Sequence, residues 1–114
     1  EVIVPGYTFI ACAQAVLSCG GIPVFADIDE TFTISPDSIK CAISARTKAI
    51  MVVHMFGNVA DMEPLLTIAK THKLSVIEDC AQAIGARYRH HPVGSLGDIG
   101  CFSFDITYSI YNPV

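Results

Sequence analysis

The chain alternates unbroken apolar runs with amphipathic stretches. EVIVP (1–5), IPVFADI (22–28), KAIMVVHMF (48–56), LSVIED (74–79) and IGCFSF (99–104) are runs of neighbouring apolar residues rather than every-other-residue patterns. That is the mark of strands covered on both faces of a parallel sheet. Between them, TFIACAQAVLSCG (8–20) predicts a helix that stops at Gly20. DSIKCAIS (37–44) predicts a second, with Ser35 as cap and Pro36 in its first turn. MEPLLTIAKTH (62–72) predicts a third, capped by Asp61, with Leu65, Leu66, Ile68 and Ala69 toward one side. Gly57-Asn58 reads as a turn, residues 80–85 as a short helical stretch, and ARYRHHPVG (86–94) as a small hairpin. The alternation predicts an α/β fold, a mostly parallel sheet flanked by helices. Ligands of such sheets gather beyond the carboxyl ends of the strands. That edge receives Pro5-Gly6-Tyr7, Asp27, Asp29, His54, Asp79 and Ser103.

Composition narrows the partners. Charged residues make up 16% of the chain and AVILMFWYC residues 52%, so few charges remain to coat a surface. Together with a start at Glu1 in what reads as a strand and an end at Pro113-Val114 without a closing element, this predicts a piece of a larger domain. The net charge of −4, from 11 acids and 7 scattered Lys and Arg, provides no basic stripe for nucleic acid. Residues 2–26 carry no charge, but Pro5-Gly6 and Gly20-Gly21-Ile22-Pro23 cut them into pieces too short to cross a bilayer. No signal-peptide pattern is present, and five cysteines without CxxC spacing favour reduced thiols in a cytoplasm.

Several groups are candidates for chemistry. Asp27-Ile28-Asp29 has the DxD form with which metal-dependent glycosyltransferases hold a divalent ion and a sugar nucleotide, and also the form of acids closing a parallel strand. His54 reads equally as a site residue or a hydrogen-bonded core histidine, and His90-His91 as solvated turn residues. No glycine-rich phosphate cradle of the G-x-G-x-x-G or G-x-x-x-x-G-K-[ST] type occurs. Asp79 ends a buried run, where a carboxylate needs a donor or a cation to remain ionised. Gln82 follows three residues later, Ser103 ends another strand, and Phe9 follows the first. Carboxylate, amide, hydroxyl and flat ring at one sheet edge suit a planar, phosphorylated cation. The competing reading makes Asp79 the cap of a helix over 80–85.

PGYTFIACAQAVLSCGGIPVFADID, RTKAIMVVHMFGNVADM and VIEDCAQAIGARY…VGSLGDIGCFSF resemble, in collinear order over residues 1 to about 104, the DegT/StrS-type sugar aminotransferases. These are pyridoxal 5′-phosphate enzymes of the aspartate aminotransferase fold. The resemblance implies a partial large domain over 1–104 and a divergent tail over 105–114. It also implies an amino donor such as glutamate, a nucleotide-linked keto sugar as acceptor, and a homodimer in the full-length enzymes. Carried over, Asp79 matches the aspartate that pairs with the protonated pyridine nitrogen and Gln82 the residue near the phenolic oxygen. Phe9 matches the stacking ring and Ser103 a serine that binds the cofactor phosphate. The match fails where the family has the lysine that anchors the cofactor, because that position is Tyr108 and no lysine follows Lys73. The glycine-rich continuation after CFSF is also missing, and the family's phosphate-binding turn would precede Glu1. The resemblance therefore implies a chain inactive alone, through truncation, a frame or exon-boundary artefact, or gene decay. A noncatalytic module pairing with a full-length partner is the alternative.

Overall fold

A computed structural model describes residues 1–105. Its elements are β1 (Val2–Pro5), α1 (Ala11–Ser18), β2 (Pro23–Ala26), α2 (Pro36–Ala42), β3 (Ala49–Val53), α3 (Met62–His72), β4 (Ser75–Asp79), a hairpin of β5 (Arg87–Tyr88) and β6 (His91–Pro92), and β7 (Ile99–Cys101). The main sheet has the order β2-β1-β3-β4-β7 with every pairing parallel, and β5–β6 pair antiparallel apart from it. The α/β architecture follows from this topology, since each parallel crossover sends the chain across a sheet face.

Alternation along the strands divides the core. Ile3, Ile50, Val52 and Val76 join Ile39 of α2 and Met62, Leu65 and Ile68 of α3 in one cluster. Val4, Met51 and Val53, one residue out of step, join Cys12 and Val16 of α1 in another. By register, Val4 pairs with Phe25 and Ile77 with Ile99, so those residues share the α1 face. Phe25 and Ile99 remain largely exposed there, because the single helix α1 covers only the middle of that face.

Local signals account for most boundaries. Helix α1 ends before Gly20, whose φ of 72° is the left-handed conformation glycine adopts freely. Ser35 caps α2 by accepting the Ser38 N–H at 3.4 Å, with Pro36 in the first turn. Asp61 occupies the capping position of α3, but its carboxylate receives the Tyr88 hydroxyl instead of a helical N–H. Tyr88 Oη in turn accepts the Glu63 N–H at 3.3 Å, which fastens the hairpin to the start of α3.

Three expectations are corrected. The third strand stops at Val53 rather than residue 56, because Phe56 and Gly57 both take left-handed backbone (φ 55° and 83°) inside a 3-10 turn over Met55–Gly57. The fifth main strand stops at Cys101, the partner of Asp79, because β4 ends there and no ladder remains to pair with. Residues 80–85 form no helix. They make consecutive tight turns, with Ala83 N–H donating to Cys80 O and Ala86 N–H to Ala83 O, both at 3.0 Å. Tyr108 lies outside the described residues.

Candidate active site

Asp79 is the last residue of β4, and alternation sends its side chain to the α1 face while Glu78 points to the other. Its Oδ1 accepts the Ala81 N–H at 3.0 Å, an Asx turn in place of the helix cap of the competing reading. Its Oδ2 accepts the Cys12 thiol at 3.3 Å. Gln82 follows in the turn, and its Oε1 accepts the Phe56 N–H at 2.8 Å. That bond assigns the amide: with the oxygen occupied by a donor, the NH2 group is what Gln82 has left to offer. The loop from β1 to α1 brings Thr8, Phe9 and Ala11, β3 brings Val53, and the segment after β7 brings Ser103. Together with Asp79, Ala81 and Gln82 these residues line one cleft of about 180 Å³. Phe9, Asp79, Gln82 and Ser103, predicted as one set, are thus brought to one place. Ser103 Oγ accepts the Asp105 N–H at 3.2 Å, which leaves its hydroxyl proton as a donor.

Behind the cleft lies a buried polar hub, of which sequence reasoning singled out His54 but not its partner Glu78. Glu78 is wholly buried, and each of its oxygens accepts two hydrogen bonds. Oε1 receives the N–H groups of Leu96 (2.8 Å) and Gly97 (2.6 Å), while Oε2 receives Gly94 N–H (2.8 Å) and His54 Nε2 (3.1 Å). His54 Nδ1 accepts the Ala60 N–H at 3.2 Å, which places the ring proton on Nε2, facing Glu78. Of the two readings of His54, the structure selects the hydrogen-bonded core histidine. The loop over 94–98 is further held by Asp98, whose Oδ2 accepts Val76 N–H at 2.7 Å and whose N–H donates to Val76 O at 2.8 Å. Close approach requires the glycines: a Cβ on Gly100 would lie 2.3 Å from Gly94 O, and one on Gly97 2.7 Å from Val76 O. GSLGDIG is therefore a clamp that fits β7, and with it Ser103, against β4. Its one signal in the sequence was a second carboxylate, Glu78, inside an apolar run.

The hub makes a pH prediction. Burial pushes His54 below the usual histidine range, against the upward pull of the Glu78 and Asp79 carboxylates. Burial also works to raise Glu78, but the Gly97 and Gly94 N–H groups, the His54 ring and the Leu96 N–H outweigh it and hold the carboxyl below its ordinary range. The unfolded chain takes up protons at these residues near pH 6.5 and 4.5, while the folded chain resists. Stability is thus complete above the histidine value and falls on acidification, first through the histidine window and then through the glutamate one. Urea unfolding from about pH 8 down to about pH 4 is expected to show this, at a slope of at most about 1.4 kcal/mol per pH unit for each group. A stability that stays flat below pH 6.5 would contradict it.

The other candidates do not converge on the cleft. Asp29 Oδ1 accepts both the N–H and the hydroxyl of Thr31, and Asp27 Oδ1 the N–H of Ile28, so both acids shape their own loop. His90 and His91 sit at the exposed hairpin. Among the described residues, the group of potential metal ligands is His54, Glu78 and Cys80. There the carboxylate is already saturated with donors, both ring nitrogens are engaged, and burial pushes the Cys80 thiol up to about 12, which suits a protonated network better than a cation.

The family model for DegT/DnrJ/EryC1/StrS aminotransferases matches residues 1–110. The chain belongs to this family. A UDP-N-acetyl-3-dehydro-alpha-D-glucosamine 3-aminotransferase of Acidithiobacillus ferrooxidans is 56% identical over 105 residues, covering 91% of this chain and 28% of that protein. The GDP-perosamine synthase of Caulobacter vibrioides is 50% identical, again over 91% of this chain and 28% of its own length. The crystal structure of an aminotransferase from Psychrobacter cryohalolentis superposes with a TM-score of 0.89 at 48% identity, over 91% of this chain and 27% of that one. The chain thus spans about a quarter of the length of the relatives it matches. DegT/DnrJ/EryC1/StrS aminotransferases are pyridoxal-phosphate enzymes, and the α/β sheet described above is part of their fold.

Proposed function

We propose that the cleft is the ring-binding part of a pyridoxal 5′-phosphate site in an aminotransferase for nucleotide-linked keto sugars, with residues 1–104 as part of the large domain and 105–114 as a divergent tail. The observation that carries this reading is the convergence of Phe9, Asp79, Gln82 and Ser103 on one cleft from three separate segments: the β1–α1 loop, the end of β4 with its turn, and the stretch after β7. The donor set fits the group. Asp79, held at both oxygens, presents a carboxylate to a protonated ring nitrogen. Gln82 has its oxygen occupied, so its NH2 is the group that would serve the phenolic oxygen of the cofactor. Phe9 brings an aromatic ring to the cleft wall, which suits stacking, and the Ser103 hydroxyl is a donor that suits phosphate. When bound, the cofactor supplies an electron sink for the bond that loses a proton at the amino-bearing carbon. Asp79 would keep the ring nitrogen charged, Phe9 and Gln82 would hold the ring, and Ser103 would hold the phosphate.

The reading also assigns a limit. Tyr108 stands where the family has its anchoring lysine, and a phenol, having no amine nitrogen, cannot form an imine with an aldehyde. The chain alone is therefore expected to bind the cofactor reversibly and to transfer no amino group from glutamate to a sugar. Five free cysteines support a reducing, cytoplasmic setting. The same Tyr108 favours a second reading, a noncatalytic module that pairs with a full-length copy, for which co-purification of the two chains is the test.

Fluorescence titration with pyridoxamine 5′-phosphate, which needs no lysine, tests the site. Gln82→Glu keeps an oxygen for the Phe56 N–H but turns a cleft-facing donor into a charged acceptor. It is expected to weaken binding at least tenfold, about 1.4 kcal/mol, with thermal unfolding unchanged. Equal affinity in the variant would remove Gln82 from the site, and no binding by the parent chain would remove the reading.

A further inference from the structure

Asp79 receives its second donor from an unusual source. Cys12, in the first turns of α1, is buried beneath the cleft, and its Sγ lies 3.3 Å from Asp79 Oδ2. Thr8, which lines the cleft, places Oγ1 3.4 Å from the same sulfur. Burial pushes the Cys12 thiol up to about 11, against the Thr8 hydrogen bond, with the Asp79 carboxylate adding to the rise. At neutral pH the sulfur therefore keeps its proton. An ionised carboxylate only accepts, so the thiol proton points to Oδ2 and the Thr8 hydroxyl donates to the sulfur. The order of donation, Thr8 to Cys12 to Asp79, runs from the cleft wall through the core to the carboxylate.

We propose that Cys12 is a positioning residue for Asp79, a buried thiol that fixes the rotation of the carboxylate while leaving Oδ2 basic enough to pair with a cation in the cleft. A thiol suits this because it is a weak donor. It orients the oxygen without neutralising it, where the Ala81 N–H already holds Oδ1. The cation is the ring nitrogen assigned above, so this part rests on the cofactor reading. The thiol–carboxylate bond itself does not.

The S–H stretching band in the infrared spectrum of the 114-residue chain reads the bond directly, with Cys12→Ser as the difference reference. The Cys12 band is expected at lower frequency than those of the exposed Cys19 and Cys41, and to move up in Asp79→Ala. A band unmoved by Asp79→Ala overturns the proposal, whether or not any cofactor binds. In the pyridoxamine 5′-phosphate titration, Cys12→Ala is expected to lose about fivefold in affinity, as suits the loss of a weak thiol donor that orients the carboxylate. Cys12→Ser, which keeps a donor, is expected to restore most of that loss. Equal affinities of the alanine and parent chains overturn the positioning role. Absence of binding in the parent chain counts against the cofactor reading instead, and the infrared comparison still decides the bond.

Discussion

Glu78→Gln is expected to destabilise the chain by about 2–6 kcal/mol, because two buried donors lose their acceptor at about 1–3 kcal/mol each. Four donors converge on the two oxygens of Glu78. Glutamine can present an oxygen to only one pair of them. If its oxygen keeps Leu96 and Gly97, its NH2 faces the Gly94 N–H and the proton on His54 Nε2. The histidine cannot escape by moving that proton, because Nδ1 is already the acceptor for the Ala60 N–H. If the amide turns over, the Leu96 and Gly97 N–H groups meet a donor instead. Either way, buried donors lose their acceptor while the shape stays the same. Equilibrium urea unfolding followed by circular dichroism measures the effect, and a loss below about 1 kcal/mol would show that the hub contributes little. Because the same loop carries the chain into β7, the variant is also expected to lose cofactor affinity through a displaced Ser103.

Asp79→Asn is expected to leave folding nearly intact and to weaken pyridoxamine 5′-phosphate binding about 100-fold, near 2.7 kcal/mol, within the range for removing one member of a close charge pair. The asparagine oxygen still accepts the Ala81 N–H, so the Asx turn survives. What is lost is the charge proposed to face the ring nitrogen, and with it the acceptor for the Cys12 thiol. The pairing of the two results is informative. Glu78 and Asp79 are consecutive carboxylates on opposite faces of one strand, and one substitution is expected to strike the fold while the other strikes the site. Calorimetric titration at constant pH gives the second number. An affinity within about threefold of the parent would separate Asp79 from the cofactor.

The strands were legible because continuous apolar runs report burial on two faces, and helix α2 because Ser35-Pro36 is a complete local start signal. The grouping of Phe9, Asp79, Gln82 and Ser103 was legible because a parallel sheet places the ends of its strands on one edge, and the resemblance gave those positions names. The stretch after Asp79 was not, since CAQAIG has helix-forming residues but its backbone is claimed by the Asp79 side chain and by β7. Glu78 was read past for a related reason. A charge in an apolar run says that a partner is needed and not which one.

Periodicity and punctuation along the sequence thus determined the element order, the parallel sheet and the edge at which chemistry gathers. Only the tertiary structure decided which carboxylate serves the fold and which the cleft. The donors that decide it, His54, Gly94, Leu96 and Gly97 for Glu78 and Cys12 for Asp79, lie 16 to 67 residues away along the chain. Alternation sends adjacent side chains to opposite faces of a strand, and what each then meets depends on how distant segments pack there.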